Sequence, residues 1–360
     1  MPTLRFQHII SRMNVGIIGF GRIGNEHAGW LSCAKGIRAV AIADPTAARR
    51  ALAQQSHNLR VFDRIEPMLA DPSIDAVLVS SPTSMHFDHA ALAIRAGKHV
   101  MIEKPMALNL DQAQRVAGDA AKSNRVLSVF HCRRWDIDYL TVKSAIDSGI
   151  FGKIINVESR LGQWSSCVGP AAREWRPEWR NEAEFGGGGL YDWGSHFVDQ
   201  LWQLMLPAKP IRVFAQLRGN VWTRDCDDFA RVCINFDNGA VGLVEINTTT
   251  TRPLPRWHID GTLGSADSPF SREFDTSLWA ELTFAPAPKL REGEAPAEPA
   301  RQAPRPPHAA QLNETQIWEQ FASACRGEGG PAVDVESVLT TMKLLDAARQ
   351  SSRIGKAIDI

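Results

Sequence analysis

Asn14-Val15-Gly16-Ile17-Ile18-Gly19-Phe20-Gly21-Arg22-Ile23-Gly24 decides how the front of this 360-residue chain is read. Residues 14–18 form a short, apolar, β-prone run. A Gly-x-Gly-x-x-Gly follows without a break, and then a helical stretch through Trp30 and Leu31. Strand, glycine turn and helix in that order are the setting in which this pattern cradles a dinucleotide. Gly19 makes the turn, Gly21 lets backbone approach a pyrophosphate, and Gly24 packs helix against strand. Phe20, Arg22 and Ile23 ride on the same loop. The helix start then faces the phosphates with unpaired N–H groups and the positive end of its dipole.

The pattern repeats outward from there. A second strand at 39–43 ends in Asp44, about twenty residues past the glycines, where a carboxylate binds ribose hydroxyls. Asp44 repels a 2′-phosphate, which favours NAD over NADP; Arg49 and Arg50, a turn later, keep NADP open. Asp44-Pro45-Thr46 also reads as a plain helix N-cap. A helix at 47–55, a weak strand near Val61-Phe62 and a short helix at 66–70 follow. The apolar run 76–80 suits a parallel strand covered on both faces. Ser81, Pro82 and His86 lie at its carboxyl end, where open α/β sheets bind ligands. His86 and His89 have the spacing of a metal pair but no third ligand, so no metal site is expected. After a helix at 87–96, the strand 98–102 ends in Glu103-Lys104-Pro105, with Lys104 held extended by the proline and directed into the same crevice. A helix at 111–123 and a strand at 126–130 complete an alternating β/α unit.

The bulk numbers exclude several classes. Forty basic residues against forty acidic ones leave no electrostatic footprint for nucleic acid or an anionic membrane. Six scattered cysteines without a Cys-x-x-Cys suit a reducing compartment, with neither a disulfide frame nor a zinc site. No apolar run is long enough to span a membrane, and the first dozen residues carry no signal-peptide core. A cytoplasmic protein is expected.

The second half centres on Gly186-Gly187-Gly188-Gly189, where backbone must bend sharply or pass close to a ligand. Leu190, Trp193, Phe197, Leu201 and Leu204 then have the spacing of an amphipathic helix. Asp192 and His196, four apart, share a face on such a helix. A carboxylate beside an imidazole can orient the ring for general-base work; it can equally brace a helix. A helix is expected at 134–148. Alternating runs at 154–160, 213–217, 230–236 and 240–248 predict strands with one wet face, with Asn238-Gly239 as a hairpin turn. Trp164, Trp175-Arg176 and Trp179-Arg180 offer aromatic faces and guanidinium forks suited to a sugar, or to packing of a loop. The stretch 285–308, dense in Pro, Ala, Glu and Arg, reads as a mobile low-complexity insert.

Taken together, the chain resembles the Gfo/Idh/MocA family of nicotinamide-dependent sugar and inositol oxidoreductases from Val15 to its end. The resemblance is carried by the Gly19 to Gly24 motif, by Ala96-Gly97-Lys98-His99-Val100 running into Glu103-Lys104-Pro105, by Arg133-Arg134, and by the glycine run followed by Asp-x-Gly-x-His-x-x-Asp. It implies a Rossmann domain with a doubly wound parallel sheet over 1–131. An α+β domain with a largely antiparallel open sheet then follows over 132–360. It places Lys104, Asp192 and His196 at the catalytic positions. Arg134, Trp164 and Arg180 join these three toward the substrate. Glu103 and Lys104 also border the cofactor, and the Lys104–Pro105 bond is a candidate for cis. Cys132 departs from the Asn that often precedes the two arginines. The implied activity is hydride transfer between NAD, or NADP, and a hydroxyl-bearing carbon of a sugar, polyol or inositol, in a homodimer or homotetramer. Two alternatives stay open: a glycosidase working by transient redox on bound NAD, and a non-catalytic nicotinamide or sugar sensor.

Overall fold

The computed structural model describes residues 12–167, 179–223, 225–269, 276–288, 301–303 and 311–360. The first unit alternates β1 (Met13–Ile18), α1 (Arg22–Cys33), β2 (Ile37–Ala43), α2 (Ala47–His57), β3 (Arg60–Phe62), α3 (Ile65–Leu69), β4 (Ala76–Val79), α4 (His86–Arg95), β5 (His99–Ile102), α5 (Leu110–Lys122) and β6 (Leu127–Val129). The strands pair in parallel in the order β3-β2-β1-β4-β5-β6. The order reverses beside β1, the switch point at which open α/β sheets bind ligands. β4 shows why the sequence chose this arrangement: all four of its residues are buried, as a strand sandwiched between helices requires.

The second unit contains α6 (Ile137–Asp147), β7 (Ile154–Gly162), α7 (Ser195–Leu204), β8 (Pro210–Arg218), β9 (Phe229–Phe236), β10 (Val241–Asn247), β11 (Trp257–Gly261), β12 (Gly264–Asp267), α8 (Thr276–Trp279), β13 (Thr283–Pro286), β14 (Arg301–Gln302), α9 (Glu314–Cys325), α10 (Val335–Ile354) and β15 (Ile358–Asp359). Among the described residues its sheet runs β14-β13-β12-β11-β7-β10-β9-β8-β15. Every pairing is antiparallel except β7 with β10. The Asn238-Gly239 turn joins β9 to β10 as expected, with Gly239 at φ +85°. Inward residues such as Val157, Val232, Ile234 and Val244 are fully buried, while Arg231 and Asn235 face out.

Three local expectations change. The helix expected from 134 starts at Ile137, after a short 3-10 turn over Cys132–Trp135; Arg133 and Asp136 close that turn with an ion pair at 2.9 Å. The stretch 285–308 is partly strand, because β14 pairs with Thr283 and Phe284; its remainder at 289–300 and 304–308 lies outside the described residues. The helix expected from Leu190 begins as a π-helical turn, Leu190–Gly194, and becomes α-helical only at Ser195.

Candidate active site

At the carboxyl edge of the parallel sheet lies a cleft of about 440 Å³. Gly19, Gly21, Arg22 and Ile23 line it from the first loop, Asp44 from the end of β2, and Glu103 and Lys104 from the end of β5. Arg180, Gly186, Gly187, Tyr191 and Asp192 enter from the second unit. The three glycines of the first loop play different parts. Gly19 has φ +87°, and a Cβ there would stand 2.8 Å from the Ser81 nitrogen. A Cβ on Gly24 would stand 2.3 Å from the Gly19 carbonyl oxygen, so that glycine serves the contact between α1 and the loop. A Cβ on Gly21 would meet no protein atom within 4 Å. Gly21 also caps α1 without a side-chain bond, leaving the first-turn amides available to a ligand.

Asp44 is buried and accepts hydrogen bonds from the Phe20 N–H at 2.7 Å and the Thr46 N–H at 2.8 Å. Arg49 stands 3.7 Å from its carboxylate. Phe20, expected among the cofactor contacts, turns its ring into the core and does not line the cleft. A large apolar side chain two residues past the strand continues the strand's buried face. Ser81, Pro82 and His86 do line the cleft. The His86 ring nitrogens lie 2.8 and 2.9 Å from the carbonyl oxygens of Pro105 and Ser81, and burial lowers the pKa of that ring. His89 meets the Ser81 hydroxyl at 2.9 Å. Both rings thus face protein groups, and no group of three or more His, Cys, Asp or Glu among the described residues could hold a metal ion.

The Lys104–Pro105 peptide is cis. Lys104 donates from Nζ to the main-chain oxygen of Asp192 at 2.7 Å and to its carboxylate at 3.1 Å. Arg180 Nε stands 3.7 Å from the same carboxylate. Burial alone would raise the Asp192 pKa; the charges of Lys104 and Arg180 outweigh it and hold the carboxyl below its usual range.

The glycine run presents Asp192 in a specific way. Gly188 has φ +104°, and a Cβ there would fall 2.4 Å from Asp227 Oδ1. Asp227, which sequence reasoning missed, accepts the Leu190 N–H at 2.7 Å through its carboxylate and the Gly189 N–H at 2.7 Å through its carbonyl. Its acidic run Asp225-Cys226-Asp227-Asp228 just before β9 was the available signal. Burial pushes the Asp227 carboxyl up to about 7.

The expected pairing of Asp192 with His196 is not formed: the Asp192 carboxylate is taken by Lys104 and Arg180 instead. His196 is 5% exposed, and its Nδ1 has no hydrogen-bond partner. Burial, helped by the charges of Lys104 and Arg133, keeps its pKa well below the usual histidine range. It does not line the cleft, and the His131 ring stands edge-on to it at 5.7 Å.

Two residues expected toward the substrate lie elsewhere. Arg134 is buried and grips Asp199 through two hydrogen bonds of 2.8 Å, with a third to Ser337 at 3.0 Å. A guanidinium with a facing carboxylate serves as a brace between α7 and the start of α10. Trp164 is 54% exposed on the continuation of β7, meets the Trp222 ring at 5.5 Å, and is not among the residues that line the cleft. Cys132 is enclosed, and burial pushes its thiol up to about 12. Trp175 and Arg176 lie outside the described residues.

Comparisons with known proteins agree with this architecture. The family model "Oxidoreductase family, NAD-binding Rossmann fold" matches residues 13–131, and "GFO/IDH/MocA C-terminal domain" matches 139–267. The uncharacterized oxidoreductase YdgJ of Escherichia coli is 32% identical over 217 residues, 59% of this chain and 60% of that protein. The scyllo-inositol 2-dehydrogenase (NADP(+)) IolW of Bacillus subtilis is 31% identical over 234 residues, 62% of this chain and 61% of that protein. The aligned part thus spans about three fifths of these relatives' length. A crystal structure of an NAD-binding protein from Listeria innocua superposes with a TM-score of 0.82 at 27% identity, covering 97% of both chains. No helix among the described residues is long and apolar enough to cross a membrane. With both of its domains matched over more than half the chain, this protein belongs to the Gfo/Idh/MocA oxidoreductase family and carries that family's NAD-binding Rossmann domain.

Proposed function

We propose that the protein is an NAD(P)-dependent dehydrogenase acting on a hydroxyl-bearing carbon of a sugar, polyol or inositol. One observation carries the reading: Lys104 from the parallel sheet and Asp192 from the second unit meet at 3.1 Å in the cleft that begins at the glycine loop. The cleft fits a dinucleotide, because the space a Cβ of Gly21 would occupy is open and the amides of α1 begin there. Gly19, Gly21, Arg22, Ile23 and Asp44 would hold the phosphates and ribose. Asp44 favours NAD, and Arg49 beside it provides the cation that a 2′-phosphate needs. When bound, the nicotinamide supplies the hydride chemistry.

The protein's own groups divide the remaining work. Lys104, fixed by two bonds to Asp192, presents its remaining N–H to the reacting oxygen and stabilises negative charge on it. Asp192 balances that cation and limits its swing. His196, kept neutral by burial and nearby cations, keeps a ring lone pair for a hydroxyl proton, but it does not line the cleft, so a substrate must reach past the cleft wall to use it. Arg180 borders the cleft with its guanidinium over the Trp179 ring at 4.5 Å, a pairing suited to a polyhydroxylated ring. The likeness to IolW, named for an inositol and for NADP, supports a cyclic polyol as substrate. A screen of polyols, aldoses and inositols with both cofactors, followed at the nicotinamide absorbance, tests the reading. Reduction of NAD or NADP by at least one compound is expected; tight cofactor binding without turnover of any would refute it.

The outer face of the nine-stranded sheet exposes Phe214 and Val241, which supports contact between copies in a dimer or tetramer. Light scattering at micromolar concentration should give at least twice the chain mass, and a monomer would refute this part.

A further inference from the structure

The end of β5 is tied to the distant helix α9 by a chain of hydrogen bonds in which each donor is fixed. Trp318 of α9 donates its indole N–H to His27 Nδ1 at 3.0 Å. An indole nitrogen only donates, so Nδ1 of His27 must accept and the ring's proton sits on Nε2. That nitrogen lies 2.9 Å from Glu103 Oε1 and donates to it. The other carboxylate oxygen, Oε2, accepts the backbone N–H of Lys104 at 3.1 Å. His27 and Trp318 are both fully buried. The His27 ring is packed edge-on against Trp30, Phe130 and Trp318 at 4.7, 4.4 and 5.5 Å. Glu103 itself lines the cleft.

We propose that Trp318 and His27 are positioning residues of the active site: together they fix which oxygen of Glu103 holds the Lys104 backbone, and so where the lysine stands. The inference rests on the hydride-transfer reading for its kinetic consequence, but not for its structural one. Glu103 is partly buried at the cleft wall, and burial by itself would raise its pKa; the hydrogen bond and charge of His27, together with the Lys104 and His86 charges, outweigh this and keep the carboxyl below its usual range. Without that donor, a buried carboxylate loses its partner and takes up a proton or turns. Protonation weakens the bond from the Lys104 N–H, and turning frees it. A tautomer change in His27 would do the same, since Nε2 would then have no proton to give. Trp318 opposes it from a position 291 residues along the chain.

Two measurements test this. In the ligand-free protein, ¹⁵N shifts of the imidazole should show a single Nε2–H tautomer for His27. In Trp318→Phe, which keeps an aromatic ring and removes the donor, Nδ1 loses its hydrogen bond and its ¹⁵N shift should move, while the Glu103 carboxylate still holds the proton on Nε2. In turnover, Trp318→Phe should lower kcat about 10-fold and His27→Leu about 30-fold, with KM changing less than about threefold. His27→Gln, whose amide can accept from Trp318 and donate to Glu103, should recover most of the loss in His27→Leu. A wild-type His27 protonated on Nδ1 would overturn the inference. So would polyol turnover in which His27→Leu matches wild type. A protein that turns over nothing refutes hydride transfer instead, and the tautomer result then decides this inference alone.

Discussion

Replacing Gly21 with alanine should separate cofactor binding from folding. The backbone at Gly21 has φ −73° and ψ −165°, which alanine adopts without strain. Its Cβ would meet no protein atom within 4 Å. Losing conformational freedom in the unfolded chain favours the variant by up to about 1 kcal/mol, and a poorer N-cap costs about the same. Stability should therefore stay within about 1 kcal/mol of wild type. The added methyl instead enters the cleft where backbone amides meet phosphate. Overfilling a close contact costs about 2 kcal/mol, or about 30-fold in affinity for NADH. Gly24→Ala is the opposite case. Its Cβ would sit 2.3 Å from a backbone carbonyl oxygen, which cannot swing aside. That variant should lose about 2 kcal/mol of stability. Urea denaturation and NADH fluorescence titration on both variants read the two effects. Wild-type NADH affinity in a folded Gly21→Ala protein would refute the reasoning.

Three other outcomes follow from the glycine run and its neighbours. Gly188→Ala should destabilise the protein by about 3 kcal/mol, because alanine is strained at φ +104° and displaces the Asp227 carboxylate from the Leu190 N–H; an unchanged denaturation midpoint would contradict this. Asp227 keeps its proton in the folded state to about pH 7, whereas an unfolded aspartate releases it near about pH 4. Folding therefore takes up a proton in that window, and stability falls as pH rises through it. Asp227→Asn should remove about 2–4 kcal/mol of that fall, read as the wild-type minus variant difference in urea midpoints across the window. Asp192→Asn should lower kcat/KM about 30-fold while leaving the fold intact, since Lys104 and Asp192 are 17% and 20% exposed and the main-chain bond to Lys104 survives; steady-state kinetics beside circular dichroism check it.

Much of the fold was legible because parallel strands buried on both faces write themselves as apolar runs. Residues 76–80 gave β4, and the Gly19 to Gly24 pattern gave the loop and α1. The cis bond before Pro105 came with the resemblance, not with any local pattern. What failed did so for physical reasons. Helical spacing puts Asp192 and His196 on one face, but it says nothing of Lys104, 88 residues back, which takes the Asp192 carboxylate. The partner of Arg134 is Asp199, 65 residues on, and spacing says nothing about such pairs. Trp164 reads the same in sequence whether it stacks on a sugar or meets Trp222 edge-on. The parallel pairing of β7 with β10 depends on strands about eighty residues apart, beyond any turn signal.

The most direct test measures cofactor reduction by wild type and by Lys104→Met on the same polyol panel, with NADH affinity measured in parallel. The account predicts reduction by wild type, a loss of at least about a thousandfold in Lys104→Met, and NADH binding retained in both. Reduction at the wild-type rate by Lys104→Met would contradict it.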